Sequence, residues 1–363
     1  MKKVKIIGAG SIGNHLAHAS RSLGWSVDLC DIDPAALERA RTSIYPERYG
    51  QWDSEIQLFH CDEAPKGGYD LIVIGTPPDC HMDLACDALA EKPAAMLVEK
   101  PLCGPDLRRA QELIDRADAN GVTVFSGYDH VVGGASQIIS EAIGASNTAP
   151  VTIDVEFREH WQGIFNAHPW LSGPQDTYLG YWQRGGGASG EHSHALNLWQ
   201  HFAAAAGMGR IVEVSAAMDM IRDGGVEYDR LCMMHVVTEK GLVGRVVQDV
   251  VTSPPRKWAR IQMPDGYLAW HCGFEPGVDA VERGDHDGKV DVTRISKTRP
   301  DDFIQELEHI RDHLETGADS PISLARGMDT MLVVAAAHMS VQNRRAVRID
   351  YGCGYQAEAL SLA

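Results

Sequence analysis

Residues 4–31 read VKIIGAGSIGNHLAHASRSLGWSVDLCD, and this stretch decides the fold. Val4-Lys5-Ile6-Ile7 has the apolar, β-branched character of a short strand. Gly8-Ala9-Gly10-Ser11-Ile12-Gly13 follows at once, a helical pattern runs from 14 to 23, and a second strand from Ser26 to Cys30 ends on Asp31. This is G-x-G-x-x-G with a strand before it, a helix after it and an acid about 20 residues on. Gly8 permits the tight turn, Gly10 lets the backbone approach a pyrophosphate, and Gly13 lets the helix pack close to the strand. Free N–H groups around Ser11 and Ile12, at the helix N-terminus, favour phosphate oxygens. Asp31, with Ile32 beside it, offers a carboxylate to ribose hydroxyls and repels a 2′-phosphate, which predicts NAD in preference to NADP. A bare glycine motif is also found in unrelated turns; the flanking strand, helix and acid make the dinucleotide reading the stronger one.

The same alternation continues outward. Residues 70–74, 95–98 and 122–125 are apolar runs suited to parallel strands covered on both faces, with helical patterns near 80–91 and 105–119 between them. Ligands of such sheets bind at the carboxyl ends of the strands. By position this nominates Thr76, Pro77, His81, Glu99, Lys100, Tyr128 and His130.

At 363 residues the chain exceeds one compact core, so two domains are expected. A net charge of −17 repels phosphate backbones and anionic lipid, arguing against nucleic acid or a membrane as partner. No apolar run approaches the roughly 18 residues of a membrane span, and the short apolar run after Lys3 is no signal sequence; a cytoplasmic protein is expected. The eight cysteines are scattered without a C-x-x-C pair, which reads as reduced thiols rather than a disulfide framework or zinc site.

The second half changes character. Residues 152–157 alternate apolar and polar, and strand-like runs recur near 211–221, 231–238, 243–251, 258–263 and 267–271, as in an antiparallel meander with one covered face; helical patterns return at 301–316 and 324–342. The expected division is a dinucleotide-binding domain over 1–125 and a substrate-binding, self-associating α/β domain over 126–363. Segment 157–184 is dense in Arg158, His160, Trp161, His168, Trp170, Tyr181, Trp182 and Arg184; aromatic faces and planar donors suit a sugar ring, although any single tryptophan fits core packing as well.

Residues 185–199, GGGASGEHSHALNLW, crowd Glu191, His192 and His194 after three glycines. A metal site, a catalytic site and a capped helix start all fit that composition. On one helix from about 190 to 206, Glu191, His194, Asn197 and His201 share a stripe and His192 points away. Histidines at i and i+2 do not converge and there is no H-E-x-x-H, so no metal is expected. A carboxylate beside an imidazole suits a proton relay instead.

Together, G-x-G-x-x-G, the acid, G-T-P-x-x-x-H at 75–81, E-K-P at 99–101, G-G-G with its histidine helix, and the closing segments at 303–317 and 326–329 resemble the glucose-fructose oxidoreductase / inositol dehydrogenase / rhizopine-catabolism (Gfo/Idh/MocA) family over nearly the whole chain. The resemblance implies a Rossmann domain followed by an α/β domain with a large, open, mostly antiparallel sheet. It implies NAD-linked hydride transfer at a secondary alcohol or ketone of a sugar, polyol or sugar derivative, and a homodimer or homotetramer formed through the open sheet. It implies that Lys100 and His194 handle the proton, Glu191 orients or binds substrate, and Glu99 lies on the nicotinamide side, often with a cis bond before Pro101. Tyr128, Arg158, His160, Trp161, Arg184 and Asn197 complete the expected substrate pocket. Glu191 stands where the family usually has an aspartate, three rather than four positions before the histidine, and Asn197 where many members carry another aspartate. Two other activities fit the fold: a non-catalytic regulator with the dinucleotide as ligand, and a glycoside-cleaving enzyme that recycles its NAD. A regulator would be expected to lack Lys100 or His194.

Overall fold

The computed structural model describes residues 2–166 and 168–363. Strands β1 (Lys3–Ile7), β2 (Ser26–Asp31), β3 (Ile56–His60), β4 (Leu71–Ile74), β5 (Ala95–Val98) and β6 (Thr123–Ser126) form one all-parallel sheet in the order β3-β2-β1-β4-β5-β6. Helices α1 (Ser11–Ser22), α2 (Pro34–Arg39), α3 (Tyr45–Tyr49), α4 (Pro78–Ala88) and α5 (Ala110–Asn120) lie between its strands. Every residue of β4 and β5 is buried, the reason those segments read as unbroken apolar runs. β1 pairs with β2 on one side and β4 on the other, so the strand order reverses there and a crevice opens above the start of α1.

Helices α6 (Gly134–Gly144), α7 (Gln162–Asn166), α8 (Gly187–Glu191), α9 (Ser193–Ala205), α10 (Asp301–Thr316) and α11 (Leu324–Asn343) accompany a second sheet of ten strands. These are β7 (Thr152–Arg158), β8 (Ile211–Asp223), β9 (Val226–Thr238), β10 (Val243–Asp249), β11 (Arg256–Met263), β12 (Gly266–Glu275), β13 (Val278–Asp285), β14 (Val290–Ser296), β15 (Val347–Ile349) and β16 (Leu360–Leu362), in the order β14-β13-β12-β11-β7-β10-β9-β8-β15-β16. Only the β7–β10 pair is parallel. α9 is anchored to this sheet by the Trp199 indole, which donates to the Ile153 carbonyl at 2.8 Å. The last helices return to the first sheet: Phe303 of α10 stacks on His15 of α1, and the Ser126 N–H donates to the Ile322 carbonyl at 2.8 Å.

Several elements depart from the sequence expectation. β3 and β13 to β16 were not foreseen; β14, VDVTRIS, is almost wholly exposed at the sheet edge, so neither face has to be apolar. The helix expected from 105 begins only at Ala110, because Leu107 and Arg109 hold left-handed backbone conformations (φ 55° and 59°). The single helix expected over 190–206 is two helices, α8 and α9, separated at His192 (φ −98°, ψ 24°). Among the described residues no helix is long and apolar enough to cross a membrane.

Candidate active site

The site begins at the first glycine turn. Gly8 has φ 111°, and a Cβ there would lie 2.6 Å from the Gly75 carbonyl oxygen; one on Gly13 would lie 1.9 Å from the Gly8 carbonyl oxygen. Gly10, by contrast, faces open space, with nothing within 4 Å of its virtual Cβ. Gly10 is the N-cap of α1 and no side chain caps that helix, so first-turn N–H groups at Ser11 and Ile12 remain free for an anion. A pyrophosphate fits this cradle. The Asp31 carboxylate accepts from the Ala9 N–H at 2.8 Å and the Asp33 N–H at 2.9 Å, which leaves half its lone-pair positions for ribose hydroxyls. Ile32 beside it is 75% exposed. Arg48, which no motif flagged, donates to the Ser11 carbonyl at 3.0 Å and the Ser11 hydroxyl at 2.8 Å, setting a cation beside the same helix start.

Around the crevice stand the ends of β4, β5 and β6. Thr76 and Pro77 follow β4, and the Thr76 hydroxyl is buried without a partner. His81, expected at the cofactor, turns inward: its ring nitrogens face the Pro101 carbonyl (3.1 Å) and the Thr76 carbonyl (2.6 Å), so it clamps two loops together. Burial lowers its pKa to about 4 in spite of those carbonyls, and burial likewise lowers His201 and His338 to about 4. Unfolded, each titrates near 6.5, so between about 4 and 6.5 the unfolded chain binds more protons. The stabilisation these histidines give is complete above pH 6.5 and is lost as pH falls toward 4, by up to about 3 kcal/mol each. Calorimetric melting between pH 7 and 4.5 should show a falling Tm with a shallower slope for His81→Gln; equal slopes would contradict this account of His81.

Glu99 and Lys100 follow the end of β5, with a cis bond between Lys100 and Pro101. Glu99 is buried; its Oε2 accepts weakly from the Lys100 N–H at 3.3 Å and its Oε1 has no partner. Burial, and then the Asp129 charge, push its pKa up to about 8. Lys100 Nζ lies 3.3 Å from Glu191 Oε2 and donates to the Glu191 carbonyl at 3.1 Å, and both side chains are largely buried (12% and 16% exposed). The Tyr178 hydroxyl donates to the same Glu191 oxygen at 3.2 Å. Burial opposes ionisation of Glu191, but the charges of Lys100 and His192 and the bonds from Lys100 and Tyr178 outweigh it and hold the carboxyl below its usual range. The glycine run makes this approach possible. Gly185 packs on Pro78 and Pro101, and Gly187 (φ 77°) has its virtual Cβ 2.0 Å from Asp229 Oδ1, the carboxylate whose other oxygen accepts from the Ser189 N–H.

The break at His192 changes the expected pairing of Glu191 with His194. Glu191 ends α8 against Lys100, whereas His194 lies in the first turn of α9 with its Nδ1 3.7 Å from Asp129 Oδ1 and its ring edge-on to His130 at 4.6 Å. Burial, then His130, hold the His194 pKa well below its ordinary value despite Asp129. His192, dismissed on helical geometry, is also buried next to this cluster, with its Nε2 unpartnered and its pKa lowered to about 4, chiefly by burial. Asp129 sits at a strand end that drew attention to both its neighbours, yet the sequence reading passed over it; Tyr178 carried no signal beyond its place among the aromatics of 157–184.

The expected substrate residues separate. Tyr128 is fully buried, its hydroxyl donating to Ser193 at 3.2 Å and its ring edge-on to His194, so it supports the imidazole from behind. Asn197 is buried and donates to Thr330 at 3.0 Å, tying α9 to α11. Trp161 packs in a small core with Leu179, Ala188 and Val250. Tyr128 and Trp161 belong to the interior, and Asn197 is buried beside a cavity lined by His201, Arg210 and Arg326. Arg158 is bound to the buried Asp249 at 2.6 Å, His160 is exposed and accepts from the Gln162 N–H at 2.9 Å, and Arg184 bridges to Asp79 of α4 at 2.7 Å.

Residues 2–128 match the family model described as an oxidoreductase family with an NAD-binding Rossmann fold, GFO_IDH_MocA. No curated protein sequence matches the chain. Among solved structures it resembles an oxidoreductase from Agrobacterium radiobacter in complex with NAD+, L-tartaric acid and magnesium (19% identity, 96% of this chain and 98% of that one, TM-score 0.73). It also resembles the WlbA dehydrogenase from Bordetella pertussis with NADH and UDP-GlcNAcA (17%, 96% and 98%, 0.71) and a levoglucosan dehydrogenase with NADH and levoglucosan (14%, 96% and 99%, 0.76). At these identities the likeness shows a common fold. Residues 2–128 therefore match the NAD-binding Rossmann domain of the Gfo/Idh/MocA oxidoreductases, and NAD is the cofactor of that domain.

Proposed function

We propose that this protein is an NAD(H)-dependent oxidoreductase acting on a secondary alcohol or ketone of a sugar, polyol or sugar derivative. The observation that carries this reading is the Lys100–Glu191 pair, set at the carboxyl end of β5 beside the nucleotide crevice and braced by Tyr178. The similar structures that hold levoglucosan and UDP-GlcNAcA support the substrate class. In this reading residues 1–125 hold the dinucleotide and residues 126–363 hold the substrate and self-associate, through a sheet face that exposes Met233 and Val243.

Bound NAD supplies the hydride acceptor or donor. Lys100 exchanges the proton with the substrate oxygen, donating as ammonium to a ketone and accepting as amine from an alcohol. Glu191, fixed by Tyr178, holds Lys100 in place. His194, kept neutral by burial, offers Nε2 to a neighbouring substrate hydroxyl. A panel of sugars, polyols, uronates and nucleotide sugars, read by NADH absorbance, tests the reading; no turnover on any of them would count against it.

Asp31 makes a separate prediction. Asp31→Ser removes the carboxylate that repels a 2′-phosphate, so the ratio of NADP to NAD affinity should rise by roughly tenfold or more. Fluorescence titration of both cofactors measures it, and an unchanged ratio would remove Asp31 from the ribose site.

A further inference from the structure

We propose that Asp129, His130 and His194 bind a divalent transition-metal ion. Asp129, His130 and His194 each offer one ligating atom, and these atoms lie within 4.8 Å of one another. Asp129 Oδ1, His130 Nδ1 and His194 Nδ1 are buried and none has a hydrogen-bond partner. Leaving such groups unpaired costs about 1–3 kcal/mol each, so three orphans aimed at one point call for a common partner. The 3.7 Å between Asp129 Oδ1 and His194 Nδ1 is too long for a hydrogen bond. An ion with bonds of about 2.1 Å holds its ligand atoms roughly 3–3.5 Å apart, so small side-chain rotations complete the site.

The donors suit an ion in other respects. Both imidazoles present a buried, unpartnered Nδ1. Around them is an excess of buried carboxyl groups: Glu99 Oε1 and both oxygens of Glu306 are also unpartnered, and after burial their shared charges with Asp129 raise both pKa values. A dication favours the ionised forms of these carboxyl groups; Lys297, Lys257, Arg299 and Lys100, whose charges reach His130, oppose it and limit affinity. Phe157 and Trp270 pack edge-on to His130 at 5.3 and 5.8 Å and fix its ring. Two imidazoles and one carboxylate favour zinc, cobalt, iron or manganese over magnesium or calcium. Ligation through Nδ1 leaves Nε2 of His194 available for substrate.

The test uses the full chain, stripped with chelator, without NAD or substrate. Equilibrium dialysis with Zn2+ should show one tightly held ion per chain, Co2+ should develop visible d–d bands, and Mg2+ at the same concentration should do neither. Asp129→Asn and His130→Gln should each weaken Zn2+ binding at least about tenfold, with NAD affinity retained as evidence of folding. No saturable uptake, or uptake that both variants leave intact, overturns the proposal. If both variants misfold, the wild type decides: Zn2+ should raise its Tm where Mg2+ does not, and an unchanged Tm overturns the site. Turnover by a protein that takes up no ion would leave the oxidoreductase reading standing without this site; ion uptake with no turnover on any substrate would leave this site without that reading.

Discussion

Lys100→Met is expected to lower kcat by about 10²–10⁴-fold on whichever substrate the panel identifies, with NAD affinity changed only a few-fold. The cofactor cradle lies on β1, α1 and β2, and Lys100 contributes none of its hydrogen bonds, so binding and chemistry should part company. Lys100 also neutralises Glu191, and removing it strands a largely buried carboxylate. Breaking such a pair costs up to about 3 kcal/mol, discounted here because neither partner is wholly dry. A lower Tm alone would then be ambiguous. The double variant Lys100→Met/Glu191→Leu removes both charges; it should recover most of the stability and none of the activity. Full kcat in the single variant, or activity regained in the double, would sink the assignment of Lys100.

Gly13→Ala is expected to destabilise the protein by about 3 kcal/mol or more and to weaken NAD binding at least about 100-fold. The added Cβ would lie 1.9 Å from the Gly8 carbonyl oxygen, and both sides of that clash are backbone, so no flexible side chain can yield. Either α1 moves off β1 or the turn opens, and both displace the helix N-terminus from the phosphates. Gly10→Ala provides the contrast. Nothing lies within 4 Å of its Cβ, so Tm should fall by little, while the methyl group occupies the space a pyrophosphate needs. Thermal melts with and without NAD separate the two: Gly13→Ala should lose stability in both, and Gly10→Ala should mainly lose the shift that NAD produces. Equal melting behaviour of the two variants would falsify the assignment of separate packing and binding roles.

How much of the protein could be read in advance follows from the range of the forces involved. The Rossmann half was legible because its signals are local. A tight turn needs Gly8, close helix packing needs Gly13, and strands buried on both faces need unbroken apolar runs such as Leu71–Ile74. The ten-stranded sheet was legible where one face is buried and illegible at β14, where burial imposes no pattern. At the site, sequence proximity misled: Glu191 and His194 are three residues apart, yet the backbone turn at His192 sends one to Lys100 and the other to Asp129.

By itself, then, the sequence determined the dinucleotide fold and the NAD-binding turn, because backbone geometry and alternating burial act within a few residues. Only the tertiary structure decided which groups meet. It turned Tyr128, Asn197 and Trp161 into the interior, engaged both nitrogens of His81, set Tyr178 on Glu191, and gathered Asp129, His130 and His194 into one unpaired cluster. Those outcomes depend on how β6, α8 and α9 stack against one another, and side-chain partners across such contacts are chosen by distance in space, which no spacing along the chain encodes.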